Sequence, residues 1–219
     1  MNQQAHHPHH SPAERLADGL MHAVGIAASL IAVPLLLASA LPVVGSGTGV
    51  ALVIYGMAII ILFMTSAAYH MVPNLDWKPV LKRYDQAAIF LKIAGTYTPL
   101  AILLGSIFAY LFLALIWVVA LAGAIAKIAL GPRFEKFSVA LYLPLGWASL
   151  VLLWPIFATL PALASGLIVA GGVLYTIGVL FHIREKLAFQ NAIWHAFVLA
   201  ASACHFMAVS NAAMAFPAS

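Results

Sequence analysis

Residues 19–75 read GLMHAVGIAASLIAVPLLLASALPVVGSGTGVALVIYGMAIIILFMTSAAYHMVPNL, with no Asp, Glu, Lys or Arg. A helix needs about 20 apolar residues to cross a hydrocarbon layer of about 30 Å, so this run holds two crossings. Gly45-Ser46-Gly47-Thr48-Gly49 marks the reversal between them, because such clusters punctuate helices. The pattern continues outward. Residues 86–126 carry only Lys92, and residues 137–183 and 187–219 carry no charged side chain. Gly105-Ser106 and the stretch from Pro155 to Pro161 divide the second and third of these runs. Seven transmembrane helices follow, at roughly 19–43, 49–71, 84–104, 107–129, 137–157, 162–183 and 189–214. Segments of about ten alternating residues, the mark of a membrane barrel, are absent.

The composition agrees. Of 219 residues, 64% are hydrophobic and 7% charged, against about 45–50% and about 25% in soluble domains. The net charge of +4 is too thinly spread for a nucleic-acid face, so no nucleic-acid partner is expected. Cys204, the single cysteine, cannot form an internal disulfide.

Nine of the ten positive residues flank the spans on one side: Arg15, Lys78, Lys82, Arg83, Lys127, Arg133, Lys136, Arg184 and Lys186. Lys and Arg accumulate in cytoplasmic loops, so the N-terminus is expected inside and the C-terminus outside. The expected protein is an all-α, multi-pass integral protein of the cell membrane. Residues 1–13, with His6, His7, His9 and His10, read as a flexible tail, and residues 14–219 as one seven-helix domain.

Ionisable groups inside spans are costly and mark functional sites. In this topology His22, His70, Asp85, His182 and His195 fall at similar depth near the cytoplasmic side. At about 1.5 Å of rise per residue, His205 lies some 15 Å further along the last span. Imidazoles and a carboxylate at one level suit a divalent metal, zinc best. Ser66 shares the face of His70, four residues on. Lys92 lies two turns inside the third span, where it either pairs with a polar group, touches a substrate head or snorkels outward.

Ser66-Ala-Ala-Tyr69-His70, Asp85 followed by Ile93-Ala-Gly95-Thr-Tyr97-Thr-Pro99, and Ile193-Trp194-His195 through Cys204-His205-Phe206 resemble the haemolysin III family. So does the Glu14…His22…Gly25 entry to the first span. That family belongs to the progestin and adipoQ receptor superfamily, which resembles the alkaline ceramidases. The resemblance covers nearly the whole chain. It implies a zinc site near the cytoplasmic side, with His70 and His195 as ligands and Ser66 and Asp85 around the metal-bound water. The family pattern has a second histidine four residues before His195, where this chain has Asn191, a poorer zinc ligand. Asn191 either completes a weakened site, or His182 (preferred) or His22 supplies the third nitrogen, or zinc binding is lost.

Three functions follow as expectations. The first is a zinc-dependent hydrolase of a membrane lipid amide or ester, with Asp85 and Ser66 as catalytic residues. The second is a membrane sensor or regulator with a structural or lost metal. The third is a pore-forming cytolysin. A membrane lipid is the expected partner, as substrate or ligand.

Overall fold

The computed structural model describes residues 11–184 and 186–218, and among these every regular element is helical. Residues 1–10 of the expected tail lie outside the described residues. Among the described residues, six helices are long and apolar enough to cross a membrane. They are α1 (Pro12–Ala40), α2 (Ser46–Met71), α3 (Lys78–Leu104), α4 (Ile107–Leu130), α7 (Ala162–His182) and α8 (Gln190–Ala215).

The fifth crossing departs from the unbroken helix expected over 137–157. It consists of α5 (Glu135–Trp147), a 3₁₀ stretch (Ala148–Leu152) and α6 (Leu153–Thr159). Pro155 accounts for the break. As the third residue of α6 it needs no intrahelical donor, whereas in an unbroken helix it would leave the Val151 carbonyl unpaired. Tyr97 of α3 covers the break: its hydroxyl lies 2.6 Å from the Gly146 carbonyl and 3.1 Å from that of Leu145. The same oxygen accepts from the Ser149 N–H at 2.8 Å.

Two helices begin well before the positions that the charge gaps implied. α1 starts at Pro12 because Ser11 and Glu14 form a reciprocal cap. The Ser11 hydroxyl accepts from the Glu14 N–H at 3.2 Å, and the Ser11 N–H donates to Glu14 Oε2 at 2.7 Å. α3 starts at Lys78, with Pro79 in its first turn. Charged residues read as loop therefore ride on helices.

α3 is the central helix, packed mainly on α2 and α4 and reaching α5, α6 and α8. α1 packs on α2 and α8, and α8 on α7. Gly25 lets α1 approach α2 closely, since a Cβ there would fall 2.5 Å from the Phe63 ring. The outward faces are apolar, as lipid contact requires; Leu35, Leu111 and Ile125 are all largely exposed.

The charged connections meet at one end of the bundle. Glu14 Oε1 accepts from the Phe189 N–H at 2.9 Å, Lys82 pairs with Glu135 at 2.6 Å, and Arg83 Nη1 donates to the Ile128 carbonyl at 3.1 Å. At the opposite end the Ala218 N–H donates to the Val43 carbonyl at 2.7 Å. A buried apolar cluster that includes Leu36, Leu52, Tyr55, Leu152, Ile156 and Val209 fills that opposite half.

Candidate metal centre and its cavity

Near the charged end, α1, α2 and α8 bring Asp18, His22, His70 and His195 together. One ligand atom from each lies within 4.8 Å of every other. Asp18 is the hub. Its Oδ1 is 2.6 Å from His195 Nδ1 and its Oδ2 is 3.1 Å from His70 Nδ1. The rings of His22, His70 and His195 pack with centroids 4.3–5.0 Å apart.

Local sequence builds this cluster. Asp18 and His22 are one turn apart on α1 and so share a face. Lys78, at the start of α3, donates to the carbonyls of Tyr69 and His70 and so fixes the last turn of α2. His195 sits on the second turn of α8, and Ser66 Oγ lies 3.5 Å from its Nε2.

The donor set fits a metal ion. A carboxylate only accepts, so the Nδ1 atoms of His70 and His195 carry the protons that face Asp18, and each Nε2 is left with its lone pair. A carboxylate that fixes imidazole tautomers in this way is the usual partner of metal-binding histidines. His22 Nε2 is buried without a hydrogen-bond partner, its nearest carboxylate oxygen being 3.7 Å away. A buried, unpaired imidazole nitrogen is costly unless something binds it. The cluster could hold a divalent cation.

A cavity of about 1160 Å³ runs from the charged end past this cluster to Leu100, Ile156 and Ile168. Asp18, His22, Ser66, His70, Asp85 and His195 all line it. Asp85 is partly buried. Asn191, also partly buried, lines the same cavity. His182, the preferred third donor, does not join the cluster. It packs on the Trp194 ring, at 4.8 Å between centroids, and its carbonyl accepts from Gln190 Nε2 at 2.6 Å. His22 is the third imidazole of the cluster.

Asp18 escaped the reading of the sequence because spans were located by the absence of charge, which set the first boundary at Gly19. The spacing Asp18-x-x-x-His22 was the available signal. Lys92, for its part, does not snorkel: its Nζ points inward to His205 Nδ1 at 3.2 Å.

A family model described as "Haemolysin-III related" matches residues 12–206. The chain belongs to the haemolysin III family. Within 34% identity over 199 residues, it is similar to the hemolysin-3 homolog of Bacillus subtilis (strain 168), covering 90% of this chain and 92% of the relative. Hemolysin-3 of Bacillus cereus is 36% identical over 197 residues, 90% of each chain. The human monocyte to macrophage differentiation factor is 29% identical over 169 residues, covering 71% of this chain and 67% of the relative. As a member of the haemolysin III family with six long apolar helices, the chain is a multi-pass protein of the cell membrane.

Proposed function

We propose that this haemolysin III protein is a zinc-dependent hydrolase of a lipid amide or ester, working in the cytoplasmic leaflet. One observation carries the reading: a buried three-histidine, one-aspartate cluster lies on the wall of a large cavity that Asp85 and Ser66 also line. His22, His70 and His195 would hold the metal, with Asp18 orienting the two rings it touches. Zinc supplies Lewis acidity at such a site, lowering the pKa of water toward about 7 and polarising a carbonyl. Asp85 acts as general base. Its carboxylate takes a proton from the attacking water as the new bond to the acyl carbon forms. It returns that proton to the nitrogen or oxygen of the leaving group as the old bond breaks. With His195 Nε2 turned to the metal, the Ser66 hydroxyl beside it is left to donate to the substrate, and the apolar reach of the cavity accommodates acyl chain.

A second reading rests on Asp18. If Asp18 binds the metal directly, the site has four protein ligands, the closed arrangement of structural zinc. The protein would then be a sensor or regulator of membrane lipid. Lysis, which the names of the two Bacillus relatives carry, has less support, because packed apolar side chains fill the far half of the bundle.

The test is acyl-chain release from N-acyl and O-acyl lipids by purified full-length protein. Activity should vanish with a chelator, return with zinc, and be abolished in Asp85→Asn while metal content stays unchanged. A fully zinc-loaded protein that cleaves neither lipid class would overturn the hydrolase reading in favour of the sensor.

A further inference from the structure

Deeper in the bundle lies a second polar group that the metal centre does not use. Lys92 stands near the midpoint of the 27-residue α3 and is only 4% exposed. Its surroundings define its hydrogen bonding. His205 Nε2 is 3.2 Å from the Ile168 carbonyl, so that nitrogen carries the ring proton. His205 Nδ1 therefore presents a lone pair, and Lys92 Nζ donates to it at 3.2 Å. On another side Nζ lies 4.3 Å from the centre of the Tyr175 ring, within the range where an aromatic face attracts a cation. Ser202 anchors that ring through a 2.7 Å hydrogen bond to the Tyr175 hydroxyl.

These neighbours suit an ammonium, yet none carries negative charge. Among the described residues, no carboxylate lies within ion-pairing distance of Lys92. Unpaired charge at this depth in a membrane is expensive, and such residues normally face a partner or a cavity. Lys92, Tyr175 and His205 all line the cavity described above. Next to them, its wall is formed by the broken fifth crossing and α7, through Gly146, Trp147, Leu150 and Gly172. The other basic residues of the cavity, Arg15, Lys78, Lys82, Arg83 and Lys127, lie toward its charged end, so Lys92 is the cationic group at its mid-membrane depth.

We propose that Lys92, supported by His205 and Tyr175, binds the carboxylate of a long-chain fatty acid whose alkyl chain lies along this apolar wall. A carboxylate brings one negative charge, which one ammonium matches. A phosphate headgroup brings more charge and more acceptors than this site has donors. The inference goes beyond the metal-centred reading and stands on different residues.

The test is competition of oleate, oleyl alcohol and oleoyl lysophosphatidate against a fluorescent long-chain carboxylate, on purified full-length protein in detergent micelles. Oleate should bind about tenfold to a hundredfold more tightly than the alcohol, the worth of a charge-assisted hydrogen bond. Lys92→Met should remove that preference while leaving alcohol binding, and Lys92→Arg should retain it. The preference should survive a chelator. Equal affinity for acid and alcohol, a preference retained in Lys92→Met, or tighter binding of the phosphate lipid would each overturn the proposal. So would loss of the preference on chelation, which would move the carboxylate to the metal centre. Should Lys92→Met fail to fold, Lys92→Gln takes its place, with the same loss of preference expected.

Discussion

Asp18 Oδ1 lies 2.6 Å from His195 Nδ1, which joins the second turn of α1 to the second turn of α8 across 177 positions of sequence. The other oxygen of the same carboxylate reaches His70 on α2. One acidic side chain thus ties three helices at the point where three imidazoles meet. Asp18→Asn should lower zinc affinity by about 10–100-fold, the usual consequence of losing a carboxylate that orients metal-binding histidines. Chelator competition measures this. An unchanged affinity would remove Asp18 from the metal centre.

The third nitrogen is tested by a pair of variants. His22 belongs to the cluster, whereas His182 packs on Trp194. His22→Ala should therefore weaken zinc binding strongly, and His182→Ala should leave it within the error of the same titration. Asn191→His, which restores an imidazole one turn before His195, should raise affinity. If His182→Ala proves the more damaging of the two alanine variants, the ligand assignment fails.

Six long apolar helices were legible because bilayer thickness imposes a length on every uncharged run. His70 and His195 were legible because ionisable groups are conspicuous in such runs. The two exceptions have different origins. Asp18 was placed outside the first span because a charge was taken as the boundary, yet the Ser11–Glu14 cap carries α1 well past it. The break in the fifth crossing needed knowledge of tertiary context, since Pro34 and Pro99 sit inside continuous helices while Pro155 does not. Pro155 falls in the first turn of α6, where it forfeits no intrahelical bond, and the Tyr97 hydroxyl that binds the chain just before that helix is invisible from sequence.

That hydroxyl gives the next prediction. Tyr97→Phe keeps the ring but withdraws the partner of the Gly146 and Leu145 carbonyls and of the Ser149 N–H. Leaving buried polar groups unsatisfied costs about 1–3 kcal/mol. Thermal unfolding in detergent should show this loss, and proteolysis should become faster at the 3₁₀ stretch. A melting temperature equal to that of the parent would mean that the break is held by something else.

Orientation is open to direct measurement. The charged connections share one end of the bundle, and the rule of positive loops puts that end in the cytoplasm. A reporter active only outside the cytoplasm should be active when fused after Ser219 and silent when fused after Val72. The reverse pattern would invert the protein and put the metal centre in the outer leaflet.

Two glycines of α7 should respond oppositely to the same substitution. A Cβ at Gly171 would fall 2.3 Å from His205 Cδ2, 2.4 Å from its Nε2 and 3.2 Å from the Ala201 carbonyl. The imidazole must then move, and with it go its hydrogen bonds to Ile168 and Lys92. Overpacking of this kind costs about 1–3 kcal/mol, so Gly171→Ala should lower stability. Gly166, five residues earlier on the same helix, has nothing within 4 Å of such a Cβ. There the substitution only improves helix propensity, by up to about 1 kcal/mol, and Gly166→Ala should raise the melting temperature or leave it unchanged. Fatty-acid competition on the two variants separates packing from binding. Gly171→Ala should weaken oleate binding because His205 no longer supports Lys92, and Gly166→Ala should not. If both variants melt together and bind oleate alike, His205 is not held where the geometry has it, and the Lys92 site loses its support.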